Sequence, residues 1–182
     1  MDRRDFTKFA ALSPLFAGVF EGRGETSKKP TLLPPANARV YNIGHGEAQI
    51  LVDGEQSGGA WWLARLRSDP MRKTSLHVHF SADEYLYVLD GVLSAWVEGG
   101  WHELPAGGVA TVPRGSEHAL GNRSQQSMTY LASGNLAGFE RFFADIESLA
   151  RQYPYGSSEF LTELARVYGK YDSKMIGPPP IG

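Results

Sequence analysis

An all-β core of short strands, followed by a pair of amphipathic helices, is the fold this sequence predicts. Three observations carry that expectation. Glycine is over-represented, 21 of 182 residues with 11 prolines beside it, and most of the glycines fall between Gly44 and Gly138, where they punctuate rather than cluster. Runs rich in Val, Tyr, Trp, Ile and Leu recur at strand length between turn dipeptides, the pattern of a sandwich or barrel. After Gly138 the apolar period changes from two to 3.6, which is helical. The length suits one domain with small appendages, large enough to bury its own core.

The first element is an address. Arg3-Arg4-Asp5-Phe6-Thr7-Lys8 precedes a dozen weakly apolar residues ending near Phe20, the layout of an export signal and too short to span a bilayer. Arg-Arg-x-Phe-x-Lys resembles a bacterial twin-arginine signal, with Asp2 and Thr7 as departures. The expectation is a periplasmic or exported protein that loses residues 1–22 or somewhat more, with 1–30 as signal and linker. A short amphipathic arm on a cytoplasmic protein is the alternative.

Residues 36–138 form the expected barrel. Its strands are read as Ala38–Ile43, Glu47–Asp53, Gly59–Arg67, Leu76–Phe80, Glu84–Asp90, Val92–Glu98, Gly108–Val112, His118–Leu120 and Ser127–Ala132. Asp53-Gly54, Ser57-Gly58-Gly59, Ser68-Asp69-Pro70, Asp90-Gly91 and Gly99-Gly100 supply the turns. Residues 139–182 form a helical extension and a Pro-rich tail. One helix carries Phe139, Phe142, Phe143, Ile146 and Leu149 on one face and stops before Pro154. A second runs from Ser158 to about Tyr168, with Gly169 as its C-cap. Such stripes are read as a helical hairpin packed over an open barrel end rather than as a cofactor box. The tail Gly177-Pro178-Pro179-Pro180 is polyproline-like.

Charge and cysteine content narrow the chemistry. Eighteen basic and 20 acidic residues leave a net charge of -2, which argues against nucleic acid or an anionic membrane surface as the main partner. Stable membrane insertion is not expected either. Cysteine is absent, which removes disulfides, thiolate ligands and thiol nucleophiles, so any metal must be held by His, Asp or Glu.

Two spaced patterns contain ligands of that kind. In His77-Val78-His79-x4-Glu84-x6-Gly91, strand alternation points His77 and His79 to one face, and Glu84 can face the same interior from the next strand. In Gly107-x5-Pro113-x-Gly115-x2-His118-x3-Asn122, a strand and a turn deliver His118. Three imidazoles and a carboxylate suit one divalent transition metal, with Fe, Mn, Ni, Cu, Co and Zn all compatible. The site would leave positions for water, substrate or dioxygen. His45 and His102 are read as surface residues at turns or strand ends, and Asn122 as a structural tie within a turn. Leu86, Val88 and one of Trp61 and Trp62 share the interior. They describe a pocket for a flat organic molecule, and core packing accounts for them equally well.

These residues resemble the two motifs of the cupin family, G-x5-H-x-H-x3–4-E-x6-G and G-x5-P-x-G-x2-H-x3-N. The second is matched at every fixed position. The first is matched except at its leading glycine, where Met71 stands. The resemblance covers roughly Ala36 to Gly138. It implies a jelly-roll-like cupin β-barrel holding a metal on His77, His79, Glu84 and His118, and a homodimer formed through barrel strands is one assembly it suggests.

Cupins host many reactions, so the reaction class has to come from the site. The leading expectation is a dioxygenase-type oxidoreductase acting on a small aromatic or enolisable molecule, similar to quercetinase-like proteins, with Glu84 also taking the substrate's hydroxyl proton. The alternatives are a metal-dependent isomerase, decarboxylase or lyase of a small keto or hydroxy acid, and a non-catalytic exported binding protein.

Overall fold

The computed structural model describes Pro30 and residues 32–181. The export-signal reading falls on residues 1–29 and lies outside the described residues. Thr31–Gly182 form one compact unit. Its strands are β1 (Val40–Asn42), β2 (Gly46–Val52), β3 (Trp62–Ser68), β4 (Arg72–Lys73), β5 (Leu76–His79), β6 (Glu84–Asp90), β7 (Val92–Val97), β8 (Gly100–Pro105), β9 (Val109–Val112), β10 (Ala119–Asn122), β11 (Met128–Gly134) and β12 (Ser173–Gly177), with helices α1 (Phe142–Gln152) and α2 (Ser158–Lys170) between β11 and β12.

Every strand pair is antiparallel. One sheet has the order β1-β2-β3-β11-β6-β9, a second β4-β10-β7-β8, and β12 pairs with β5 as a ribbon. The sheets do not join into one closed hydrogen-bonded ring, but their inner faces share a single core. Ile50, Ala64, Leu66, Leu86 and Val88 from the first sheet meet Leu93, Ala95 and Leu120 from the second. Alternation does this sorting. In β3, Trp62, Ala64 and Leu66 are buried while Leu63, Arg65 and Arg67 are not, because successive side chains point to opposite faces. Trp62 is the inward tryptophan at 2% exposure and Trp61 the outward one at 40%.

Two motif glycines sit where a side chain would be strained. Gly91 has φ 78°, and a Cβ there would come 2.8 Å from the Met128 Cβ. Gly115 has φ 82° in the turn before His118. Met71, which replaces the glycine of the first motif, also adopts a left-handed φ of 56°. The substitution therefore keeps the turn and places the strain on a methionine.

Three strands lie beyond the sequence reading. β4 is two residues long, too short for a periodic signal. β8 carries Trp101-His102-Glu103, in which polar residues hide the alternation. β12 lies in a segment whose prolines and glycine read as a tail. Helix α2 also runs past its expected end: Gly169 is inside it, and Tyr171 is the cap, its N–H bonded to the Tyr168 carbonyl. The left-handed residue that turns the chain is Asp172, at φ 49°. Its carbonyl accepts from the Phe80 N–H and its carboxylate from the Ser81 hydroxyl, so docking against the end of β5 sets the helix length rather than the glycine. Ser157 caps the start of α2, accepting from the Phe160 N–H.

The helices bury their stripes in the same core as the sheets. Phe139, Phe143, Ile146 and Leu149 from the first helical segment and Phe160, Leu164, Val167 and Tyr168 from α2 are all part of it. Residues 139–177 are thus built into the fold, with β12 pairing back onto β5 from Ser173 opposite His79 to Gly177 opposite Leu76.

Candidate metal centre

Backbone pairing brings the histidines together before any side-chain chemistry acts. His77 and His118 form an isolated antiparallel bridge, each N–H bonded to the other's carbonyl at 2.9 Å, and their ring centroids are 4.2 Å apart. His79, two residues along β5 on the same face, has its ring 5.2 Å from that of His118. The Gly115 N–H donates to the His79 carbonyl at 2.7 Å, which holds the turn before His118 against β5. One ring nitrogen from each of the three histidines lies within 4.8 Å of the others, and all three residues are buried. Glu84 opens β6 with its Oε2 3.2 Å from His118 Nε2 and 3.9 Å from His79 Nε2.

The other face of each imidazole is already committed. His77 Nδ1 donates to the Ser75 carbonyl at 2.8 Å and His118 Nδ1 to the Ser116 carbonyl at 3.0 Å. His79 Nδ1 lies 2.8 Å from Ser173 Oγ. That hydroxyl spends its own hydrogen on the Tyr171 carbonyl, so it accepts from the ring. With all three Nδ1 atoms donating, the three Nε2 atoms are the ones that keep lone pairs in the neutral rings. Fixing the tautomer in this way orients histidines for a metal. The donor set, three imidazole nitrogens and a carboxylate, fits a borderline divalent ion.

Electrostatics agrees with that arrangement. Burial first, and then its two neighbouring imidazoles, hold His77 well below its ordinary pKa. Burial likewise lowers His79. His118 is raised: burial opposes its charge, but the hydrogen bond and charge of Glu84 outweigh it. Glu84 is lowered, because His118 and His79 outweigh its own burial. Glu84 and His118 thus each favour the charged form of the other.

Asp83 anchors the turn that delivers Glu84. Its Oδ1 accepts from the Arg114 N–H and Nε, both at 3.0 Å, and its Oδ2 from Arg114 Nη2 at 2.8 Å and Asn135 Nδ2 at 3.1 Å. The turns before Glu84 and before His118 are thereby clamped together. Arg114 beside Asp83 holds that carboxyl far below the usual carboxylate range. Sequence reasoning missed Asp83 and Ser173, because neither belongs to a motif and each acts across a long chain separation.

A cavity of about 80 Å³ adjoins the cluster, lined by His77, His79, Glu84, Tyr130 and Tyr168, by Phe139, Phe142 and Phe143, and by His45 with other aliphatic and polar residues. The inward Leu86 and Val88 are buried at 2% and 1% and pack in the core rather than line it. Tyr168 of α2 lies with its ring 4.9 Å from that of His77, and Phe139 sits edge-on to His79 at 5.1 Å. The helical segment is therefore part of the cavity wall.

Of the remaining sequence expectations, Asn122 behaves as a tie. It is fully buried, donating to the Ser68, Asp69 and Gln126 carbonyls and accepting from Ser124. His102 is exposed. His45 departs from its expected place at the surface: it is half-buried and lines the cavity, with its Nδ1 buried and unpartnered. A residue between Gly44 and Gly46 reads as loop from sequence alone, while here that loop folds under Tyr155.

The fold is a jelly roll of the cupin type, and the cupin domain family model matches residues 65–134. The chain is 28% identical over 138 residues to quercetin 2,3-dioxygenase of Bacillus subtilis (strain 168), covering 75% of this chain and 41% of that protein. It thus spans well under half the length of that curated relative. Among solved structures it is similar to a sugar phosphate isomerase of the cupin superfamily from Silicibacter pomeroyi DSS-3, with TM-score 0.52 and 22% identity over 58% of this chain and 75% of that one. It is also similar to a predicted oxalate decarboxylase from Thermotoga maritima, with TM-score 0.50 and 23% identity over 58% and 99%. These two likenesses bear on the fold.

Proposed function

We propose that the chain is a metal-dependent cupin oxygenase, in which His77, His79, His118 and Glu84 hold one divalent transition metal beside a small organic substrate. The observation that carries this reading is the set of three Nε2 lone pairs freed by three engaged Nδ1 atoms, converging with a carboxylate at the wall of an aromatic cavity. The likeness to a quercetin dioxygenase supports the choice of oxygen chemistry. A bound metal of this class supplies Lewis-acid and redox chemistry at its open positions.

The protein's own groups have separate tasks. Glu84 accepts the proton of an enolic or phenolic hydroxyl at Oε2, which lies 3.2 Å from His118 Nε2. Phe139, Phe142 and Phe143 exclude water from the cavity, which strengthens every polar contact inside it. The Tyr130 and Tyr168 hydroxyls, raised in pKa mainly by burial, stay protonated and serve as donors. Oxygen uptake by metal-loaded protein with flavonols, catechols and β-diketones tests the proposal. Full metal with no uptake across the panel would sink it.

The size of the cavity favours one alternative. About 80 Å³ is far below the roughly 300–1,000 Å³ of drug-sized pockets, so a metal-dependent isomerase, decarboxylase or lyase of a small keto or hydroxy acid is the second reading. Turnover of such acids without oxygen consumption would establish it.

A further inference from the structure

His45 stands apart from the histidine cluster yet shares its cavity. Its one ring neighbour among the described residues is Tyr155, at 4.9 Å and 64°. The Tyr155 hydroxyl donates to the Lys73 carbonyl at 3.0 Å, and it makes no hydrogen bond to His45 Nδ1. His45 Nδ1 is buried without a partner. A buried unpaired polar atom costs about 1–3 kcal/mol, and that cost persists only where something offsets it or uses it. Core packing does not require an imidazole here, since a leucine would fill similar space without the unpaired nitrogen. The polar atom is better explained by a group that enters the cavity.

The rest of the wall limits what that group is. No lysine or arginine lines the cavity. Arg72 and Asp69 act on His45 with opposite sign, and neither is a lining residue. Burial holds His45 at a pKa of about 4, and Tyr130, Tyr155 and Tyr168 are all raised by burial, so these walls carry no charge near neutrality. An anionic group away from the cluster would be a buried charge with no counter-charge. A negative end is tolerated only at the cluster itself, where a cation is expected.

We propose that His45 is the specificity-determining residue of this cavity. It hydrogen-bonds an uncharged polar group of the ligand, remote from the end held at the three-histidine cluster. The substrate class is then a molecule with a single anionic, metal-chelating end and a neutral polar far end. Molecules with a second charged group, such as sugar phosphates and dicarboxylates, are excluded. The assignment rests on the reading of the cluster as a metal centre.

The test uses the full chain loaded with Co(II), titrated with three probes and read by the visible spectrum of the metal. The probes are catechol, 3,4-dihydroxybenzamide and 3,4-dihydroxybenzoate. The last two differ only in a neutral or charged far end, so any cost of widening the cavity around a ring is common to both. Wild-type protein should bind the benzamide at least tenfold tighter than the benzoate. His45→Leu should weaken the benzamide by about five- to tenfold, the value of one hydrogen bond, leave catechol unchanged and not lower the Tm of the ligand-free protein. His45→Gln, which keeps a donor and an acceptor, should recover part of the benzamide affinity. A benzoate bound as tightly as the benzamide overturns the proposal. So does a His45→Leu variant that melts earlier and weakens all three probes alike, because that is the behaviour of a structural residue. Failure to take up Co(II) at all would instead overturn the metal reading, and this assignment with it.

Discussion

The motif strands and the segment from Phe139 to Gly177 meet at one cavity but bring different kinds of side chain to it. From β5 and β6 come His77, His79 and Glu84, and His118, at the bridge before β10, stands against Glu84 behind that wall. From the later segment come Phe139, Phe142, Phe143 and Tyr168, together with the Ser173 hydroxyl behind His79. On the proposed reading, the first region sets which ion and which proton transfer are available. The second decides what fits beside them and how firmly one imidazole is held. Under the proposed function, a barrel of this type keeps its donor set and changes its substrate through a covering segment, in line with one fold hosting many activities.

The largest effect should come from the first region. Glu84→Gln keeps the size of the side chain but removes its charge and basicity. Metal content should stay near that of the wild type while turnover falls by roughly 10²–10⁴, the usual contribution of a general base. Metal analysis and oxygen uptake on the same preparation check both halves, and unchanged turnover would remove Glu84 from proton transfer.

Next in size is loss of a donor. His118→Ala deletes the most buried imidazole, at 0% exposure, and leaves the Glu84 carboxylate without its hydrogen-bond partner. Metal affinity should fall by more than the roughly 10–100-fold typical of losing an outer partner. Equilibrium dialysis against Zn(II) or Co(II) measures it, and retention near the wild-type value would show that His118 is not a ligand.

The covering segment should act on the same measurement, but less. Ser173→Ala removes the acceptor that fixes the His79 tautomer, and a loss of about tenfold in metal affinity is expected. Equal losses for Ser173→Ala and His118→Ala would erase the distinction between the two regions. No loss would confine the later segment to shaping the cavity.

How much of this was legible in the sequence follows the same division. His77, His79, Glu84 and His118 could be read because strand alternation and short turns fix where residues at such spacings point. The helical stripes could be read for the same reason, since period 3.6 over Phe139 to Leu149 has one interpretation. Ser173, Asp83 and His45 could not. Ser173 reaches His79 across 94 positions and Asp83 reaches Arg114 across 31, and no local pattern marks either partner. His45 sits between two glycines, a context that signals a turn but not the ring of Tyr155 that covers it.

The smallest effect separates His45 from the cluster by pH. Burial lowers its pKa from 6.5 to about 4. Above pH 6.5 the ring is neutral folded and unfolded, and it adds no pH dependence. Between about 6.5 and 4 the unfolded chain binds a proton that the folded chain does not, so stability falls as the pH falls. Below about 4 the slope ends. His77 and His79 are lowered too and slope the same way, whereas raised His118 slopes oppositely, so the total for the wild type mixes several groups. Comparing wild type with His45→Leu cancels the rest. The variant should gain Tm relative to the wild type on going from pH 7.5 to pH 5, by about 2–4 °C, the shift that about 1 kcal/mol gives in a chain of this size. Parallel Tm–pH curves would mean that the His45 ring is already solvated or protonated in the folded protein. It would then be a surface residue, as its place between Gly44 and Gly46 first suggests.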